Sequence, residues 1–364
     1  MKRIIIVCLL VFMIAGCATK PSAIDWSWGP VVPKPKTSLG TTSVGDSVVT
    51  VGGTFWVTTP DGKDLKIWLA KVYQLDTKEM KWSNLPDYPH PAGYPFVAAI
   101  GSKIYVVGGR NADKGNAETF ILDTSEKNPK WVQGPSLPRP RWSCVGGVID
   151  EVIYITAGEQ GDLSKKGDVA EAASVMALDT KNLQKGWQHV GDIPGSKPGW
   201  TSATTCNGKL YIFGGTDVTK GMKKSVIKQG SVRVVENSFI PYQPHSRVLS
   251  FDVATGKWEK CTAMPDGKSS CASLAIDDRY ILLAGGVDLV TGRHRSGDDR
   301  MRLNFSSDCL VYDTIKDNYE AITPLKKAVA DVGVVKIGDT LYVIGGENNP
   351  FKTRTDLVQI GKLK

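Results

Sequence analysis

Short apolar runs recur in pairs along this chain, and the second run of each pair ends in Gly-Gly or Ala-Gly. Five second runs align: KIYVVGG (103–109), VIYITAG (152–158), KLYIFGG (209–215), YILLAGG (280–286) and TLYVIGG (340–346). A shorter apolar run and a polar turn precede each, in FVAAIGS, GGVIDE, TTCNG, SLAIDD and VVKIGD. A third run downstream ends in Asp, in KVYQLD, TFILD, VMALD, VLSFD and CLVYD, and six or eight residues beyond that Asp stands Trp82, Trp131, Trp187, Trp258 or Tyr319. Runs this short, bounded by turn residues, predict strands. The second strand is apolar at consecutive positions, so it needs cover on both faces. The repeating unit is therefore four strands, A to D, with a period of about 50 residues.

An aromatic B strand ending in Gly-Gly, followed by a D-strand Trp, resembles the kelch repeat, and the resemblance covers residues 25–364. It implies an all-β fold, a six-bladed kelch-type β-propeller. Six A–B pairs are reached when SVVTVGGTFWVTTP (47–60) is taken as a degenerate first pair. The last pair is followed by a C strand in DLVQIGKLK and no D strand. At the other end DWSWGPVVPKPK (25–36) repeats the pattern of KWVQGPSLPRPR (130–141). It is expected to supply the missing D strand, so that an N-terminal strand completes the last blade and no sheet edge stays open.

Strand direction reverses at every step, which puts the B–C loops and D–A crossings on one face. The B–C segments at 216–246 and 287–308 are far longer than ordinary connections, and long loops on a rigid scaffold are where binding concentrates. The residues after the B-strand glycines are Arg110, Glu159, Thr216, Val287 and Glu347, and Tyr94, Trp142 and Trp200 stand just before A strands. The loops add Arg293, His294, Arg295, Arg300 and Arg302, with Lys223, Lys224, Lys228 and Arg233. Carboxylates, guanidinium forks and flat aromatics around one funnel suit an anionic, ring-shaped ligand.

Composition narrows the classes. The 38 glycines and 20 prolines favour turns over helices, and 41% apolar content is enough for a sizeable core. The net charge of +8 is spread without a dense basic run, so a nucleic-acid partner is not expected. No HExxH, paired-Cys, GxSxG or phosphate-loop pattern occurs, and neither a metal nor a cofactor is expected. No disulfide is assigned among Cys144, Cys206, Cys261, Cys271 and Cys309. At the start, Lys2 and Arg3 precede the apolar stretch Ile4–Ala15 and then Gly16-Cys17, which resembles a bacterial lipoprotein signal. The expected organisation is a signal peptide over 1–16, a lipidated Cys17 with a tether over 17–24, and the propeller over 25–364. Ala18 after that cysteine resembles the outer-membrane sorting pattern, which implies a lipid-anchored protein of the bacterial cell envelope, facing the periplasm.

One group of kelch proteins is a closer resemblance. IGGENNPFKTRTD (344–356) is similar to the Gly-Glu followed by Arg-Thr-Asp of the exported N-acetylneuraminate mutarotases, also called sialic acid epimerases. The resemblance implies Glu347 as proton acceptor, with Arg354 and Asp356 behind it. In such a reaction a base takes the anomeric hydroxyl proton, an acid protonates the ring oxygen, and the opened sugar recloses as the other anomer. Glu159 is expected to face Glu347 as the acid. Arg110, Arg293, Arg295, Arg300 and Arg354 are expected to hold the carboxylate, and Trp142 and Trp200 to stack on the sugar. The alternative is a non-catalytic kelch lipoprotein that binds a glycan or an envelope protein, since fold alone does not separate the two.

Overall fold

The computed structural model describes residues 20–217, 225–229, 232–236, 244–289, 303–348 and 353–364. Among them are six antiparallel four-stranded sheets. The first is built from Gly40–Val44, Ser47–Val51, Val72–Asp76 and Lys81–Leu85, and the second from Phe96–Ile100, Lys103–Val107, Thr119–Asp123 and Val132–Gln133. Val145–Ile149, Val152–Thr156, Ser174–Asp179 and Gln188–Asp192 form the third, and Ser202–Cys206, Lys209–Phe213, Val248–Asp252 and Lys257–Cys261 the fourth. The fifth holds Ala272–Ala275, Tyr280–Ala284, Cys309–Asp313 and Asn318–Ile322. In the sixth, Gly333–Ile337, Thr340–Ile344 and Val358–Leu363 are joined by Ile24–Trp28 from the start of the chain.

That last pairing runs Ile24 opposite Leu363 to Trp28 opposite Gln359, so the strand begins one residue earlier than its Trp-rich phrase suggested. The first sheet also departs from expectation. Ser47–Val51 is itself a second strand, paired with Gly40–Val44, while Thr54–Thr58 leaves the sheet and pairs with Asp64–Trp68. The reason is Gly52-Gly53, whose φ values of +62° and +102° end the second strand as the later glycine pairs do.

The core lies between sheets, and alternate residues of each second strand face opposite neighbours. Ile104 and Val106 pack with Val49 and Val51 of the first sheet, whereas Tyr105 and Val107 pack with Ile153 and Ile155 of the third. Val48 packs with Tyr342 and Ile344 of the sixth sheet. Outer-strand aromatics add a second tie by donating to a carbonyl that follows the neighbouring sheet. The indole N–H of Trp82 reaches Pro30 O at 2.9 Å, Trp131 reaches Pro86 O at 3.0 Å, and Trp187 reaches Pro135 O at 3.2 Å. Trp26 does the same to Thr323 O at 3.1 Å, and the Tyr319 hydroxyl to Thr262 O at 2.9 Å.

Glycine pairs supply a third tie. Gly109 N–H donates to Arg141 O at 2.8 Å and Gly346 N–H to Lys36 O at 2.8 Å, each reaching the residue two before a left-handed position. A Cβ on Gly108 would sit 2.1 Å from Arg141 O, so only glycine permits that approach. Lys36 is fully buried, donates to Thr50 Oγ1 at 2.9 Å, and lies 4.7 Å from the Tyr73 ring centroid. Burial pushes its ammonium down to about 7. The unfolded chain, with a lysine pKa of about 10.4, binds more protons between these values, so this group makes stability rise as pH increases from about 7. Lys36→Met is expected to raise stability at pH 7 by about 1–3 kcal/mol and to flatten that rise. Thermal melts at pH 6.5 and 9 measure it; a lower Tm at pH 6.5 would contradict the assigned burial cost.

Candidate functional site

Six non-glycine residues with left-handed backbone, Ser38, Tyr94, Ser143, Trp200, Ser270 and Asp331, each stand two residues before the first strand of one of the six sheets, with φ between 50° and 61°. Together they line one cavity of about 300 Å³. Their backbones are linked from sheet to sheet: Tyr94 N–H donates to Ser38 O, Ser143 N–H to Tyr94 O, Ser270 N–H to Trp200 O and Asp331 N–H to Ser270 O, at 2.7–3.0 Å. The residues after the glycine pairs pair with the backbone beside these positions, Thr37 with Thr54, Gly93 with Arg110, Ser269 with Val287 and Ala330 with Glu347.

Glu347 and Arg354 face each other in a short ribbon and form an ion pair at 2.7 Å. Their side chains are only 15% and 8% exposed, so the pair is nearly withdrawn from water. Arg110 lies between two indoles, its guanidinium carbon 5.5 Å from the Trp68 ring and 5.3 Å from the Trp142 ring. It has no carboxylate partner among the described residues, which leaves its fork available to an anion. Trp200 is half-buried and meets Tyr94 edge to face at 5.9 Å.

Two expectations need correction. Trp142 is 1% exposed, with Gly115 against its ring and Arg110 over it, so it supports Arg110 instead of offering a face to a sugar. Its indole N–H donates to Glu159 Oε2 at 2.7 Å, which occupies Glu159 with positioning that tryptophan. Arg293, Arg295 and Arg300, with His294 and Arg302, lie outside the described residues, as do Cys17, Lys223 and Lys224. Lys228 and Arg233 are opposite one another in the ribbon Ser225–Gln229 with Val232–Glu236. Cys144, Cys206, Cys271 and Cys309 are buried and, with Cys261, are free thiols.

The structure adds residues that the pattern of the chain did not expose. In the ribbon Thr54–Thr58 with Asp64–Trp68, turned by Pro60-Asp61-Gly62, the period of two puts Lys66 and Trp68 on one face, with Trp56 opposite Lys66. Lys66 Nζ donates to the Tyr94 hydroxyl at 2.8 Å and lies 4.8 Å from both the Trp68 and Tyr94 ring centroids. Burial, reinforced by Arg354 and Arg110 and opposed by Asp331 and Glu347, brings the Lys66 ammonium down to about 8. Burial first, then the Asp331 charge, pushes the Tyr94 phenol well above its usual range. Asp331 is anchored by Ser38 Oγ and Thr37 Oγ1, which donate to its Oδ2 at 2.7 and 2.8 Å. Lys66, Tyr94, Arg110, Asp331, Glu347 and Arg354 therefore form one electrostatic group, with Glu159 attached to it through Trp142 and Arg110.

Residues 96–346 match the KLHDC2/KLHL20/DRC7 Kelch-repeats domain. The N-acetylneuraminate epimerase of Yersinia pestis (strain Pestoides F) is 23% identical over 259 residues, 65% of this chain and 59% of that protein. Kelch-like protein 15 of Danio rerio is 27% identical over 224 residues, 60% of this chain and 34% of that protein. The match thus spans little more than half the length of the epimerases. The solved structure of YjhT superposes with a TM-score of 0.65 at 18% identity, over 91% of this chain and 96% of that one, and shares the fold. With an all-β architecture of repeated four-stranded sheets and a domain match across most of its length, the chain belongs to the Kelch-repeat family.

Proposed function

We propose that this protein is an exported carbohydrate mutarotase that interconverts the anomers of N-acetylneuraminate or a related acidic sugar by acid–base ring opening. The observation that carries this is the nearly buried Glu347–Arg354 pair and the indole-clamped Arg110, all three acting on Lys66, in a chain similar to N-acetylneuraminate epimerases. A carboxylate there can take a hydroxyl proton while a guanidinium fork holds the sugar's own carboxylate. Ring opening needs proton transfers alone, which suits this set of side chains. Anomer exchange followed by saturation-transfer NMR tests the reading: addition of the protein is expected to accelerate exchange of the acidic sugar. If no acidic sugar responds, the same cleft becomes a glycan-binding site and the protein a binding module.

In this reading the six sheets are six blades around one axis, and Ile24–Trp28 closes the ring by completing the last. The ties from the sixth sheet to the first, through Gly346 to Lys36 and through the Val48 packing, support it. The domain plan is a signal peptide over 1–16, lipidated Cys17 with a short tether, and the propeller onward. The protein is then held at the outer membrane, facing the periplasm. Cys17→Ala is expected to move it from the membrane fraction to the soluble periplasm, and unchanged partition would remove the anchor from the proposal.

A further inference from the structure

The reaction needs an acid as well as a base, and the residue first expected to be that acid is otherwise engaged: Glu159 accepts the Trp142 indole proton. What stands at the mouth instead is a phenol with a cation behind it. Tyr94 is one of the six residues around the cavity, and its half-buried ring meets Trp68 at 6.3 Å and Trp200 at 5.9 Å, both edge to face. Its hydroxyl accepts from Lys66 Nζ at 2.8 Å. Because the ammonium has no acceptor capacity, the phenolic proton points elsewhere: the Ser38 side chain is its hydrogen-bond partner in the resting site, and a bound sugar offers it an oxygen in exchange.

Resting on the mutarotase reading above, we propose that Tyr94 is the catalytic proton donor to the sugar ring oxygen, and that Lys66 resupplies its proton. The Glu347 carboxylate takes the anomeric hydroxyl proton, and that oxygen's electron pair forms the carbonyl of the open keto acid. The bond from the anomeric carbon to the ring oxygen breaks, its electron pair staying on the ring oxygen, which takes the Tyr94 proton. Lys66 passes a proton to the Tyr94 oxygen as this occurs. Glu347 ends as a neutral acid, Lys66 as a neutral amine and Tyr94 as a phenol. Reclosure on the other carbonyl face reverses each transfer and restores all three groups.

The resupply matters because a buried tyrosinate is strongly disfavoured at this position. Tyr94 can release its proton only when another arrives in the same event. The groups bearing on Lys66 are Tyr94, Arg110, Asp331, Glu347 and Arg354, and burial first, then the two guanidinium charges, make its ammonium a readier donor than a solvated lysine. Trp56 and Trp68 flank it from the same ribbon, limiting the water that would otherwise supply protons less selectively.

The test compares wild type, Lys66→Met, Tyr94→Phe and the double variant by anomer-exchange NMR of N-acetylneuraminate between pH 6 and 9. Each single variant is expected to lower kcat by about 100-fold with KM within about threefold, and the double variant to be no slower than Tyr94→Phe. The wild-type kcat is expected to fall as pH rises through about 8, and this limb to vanish in Lys66→Met. Lys66 lies on a half-exposed ribbon, so Tm should move little and folding stays a measurable control. If wild type accelerates exchange and Lys66→Met keeps its rate and pH limb, the relay is refuted while the mutarotase survives. If wild type accelerates nothing, both fall together.

Discussion

Glu347→Gln is expected to slow anomer exchange by about 10²–10⁴-fold while sugar affinity stays within about threefold. The amide keeps the shape of the side chain, and the ribbon that pairs positions 347 and 354 through its backbone has no reason to come apart. What disappears is the capacity to take a proton. The change is not free of structural cost, because Arg354 is 8% exposed and keeps its charge after its counter-ion has gone. Breaking a buried pair by removing one of its charges costs about 3–5 kcal/mol, and a loss of up to that size is expected here. Rate and Tm must therefore be measured together. A variant that exchanges anomers at the wild-type rate removes Glu347 from the mechanism whatever its stability.

Deleting residues 24–36 is expected to lower Tm by far more than deleting 18–22. The longer cut removes five paired residues from Val358–Leu363, with Ile24 and Trp26 at 3% and 8% exposure. Burial of these two side chains alone is worth about 3–6 kcal/mol. It also strips Thr323 of two donors, the Ile24 N–H and the Trp26 indole, and removes Val32 and the Lys36 carbonyl that receives Gly346. Against a typical domain stability of about 5–15 kcal/mol, the loss is enough to unfold the sixth sheet. The shorter cut takes an exposed ion pair between Lys20 and Glu320 and one backbone hydrogen bond from Ser22. Equal melting temperatures for the two deletions would show that the N-terminal strand does not hold the molecule together.

Strands that recur with the same signature were legible before any coordinates. The pairs ending in glycine and the outer tryptophans are dictated by packing that repeats in every sheet, and so they repeat in the chain. The strand at Ile24–Trp28 was legible for the same reason, because a D strand must look like another D strand. The first sheet was not, and the consequence reached the site. Taking residues 47–60 as one pair placed Phe55 and Trp56 in a sheet, although Gly52-Gly53 already marks the end of the second strand. That displacement hid the ribbon, and with it Lys66 and Trp68. Asp331 was hidden differently: its neighbours Ala330 and Val332 form no motif, and only the shared left-handed backbone marks it as equivalent to Tyr94 and Trp200. Glu159 and Trp142 were both singled out, but that one would satisfy the other is a matter of 2.7 Å that no spacing encodes.

The six left-handed positions carry Ser, Tyr, Ser, Trp, Ser and Asp on the same backbone conformation. Each costs about 1–3 kcal/mol relative to ordinary backbone, a cost offset by main-chain hydrogen bonds between neighbouring positions and, for Ser38 and Asp331, by a side-chain one. Side-chain identity is therefore uncoupled from these main-chain bonds, except where Ser38 Oγ donates to Asp331 Oδ2 and the Tyr94 ring meets that of Trp200. An evolving lineage can exchange a side chain at one address without rebuilding the main-chain links, provided the addresses that touch, 38 with 331 and 94 with 200, change together, and a protein engineer can do the same. Retuning such a protein toward a different sugar would begin with a six-position alphabet written around the mouth, its letters changed singly or in these pairs while the frame that displays them stays.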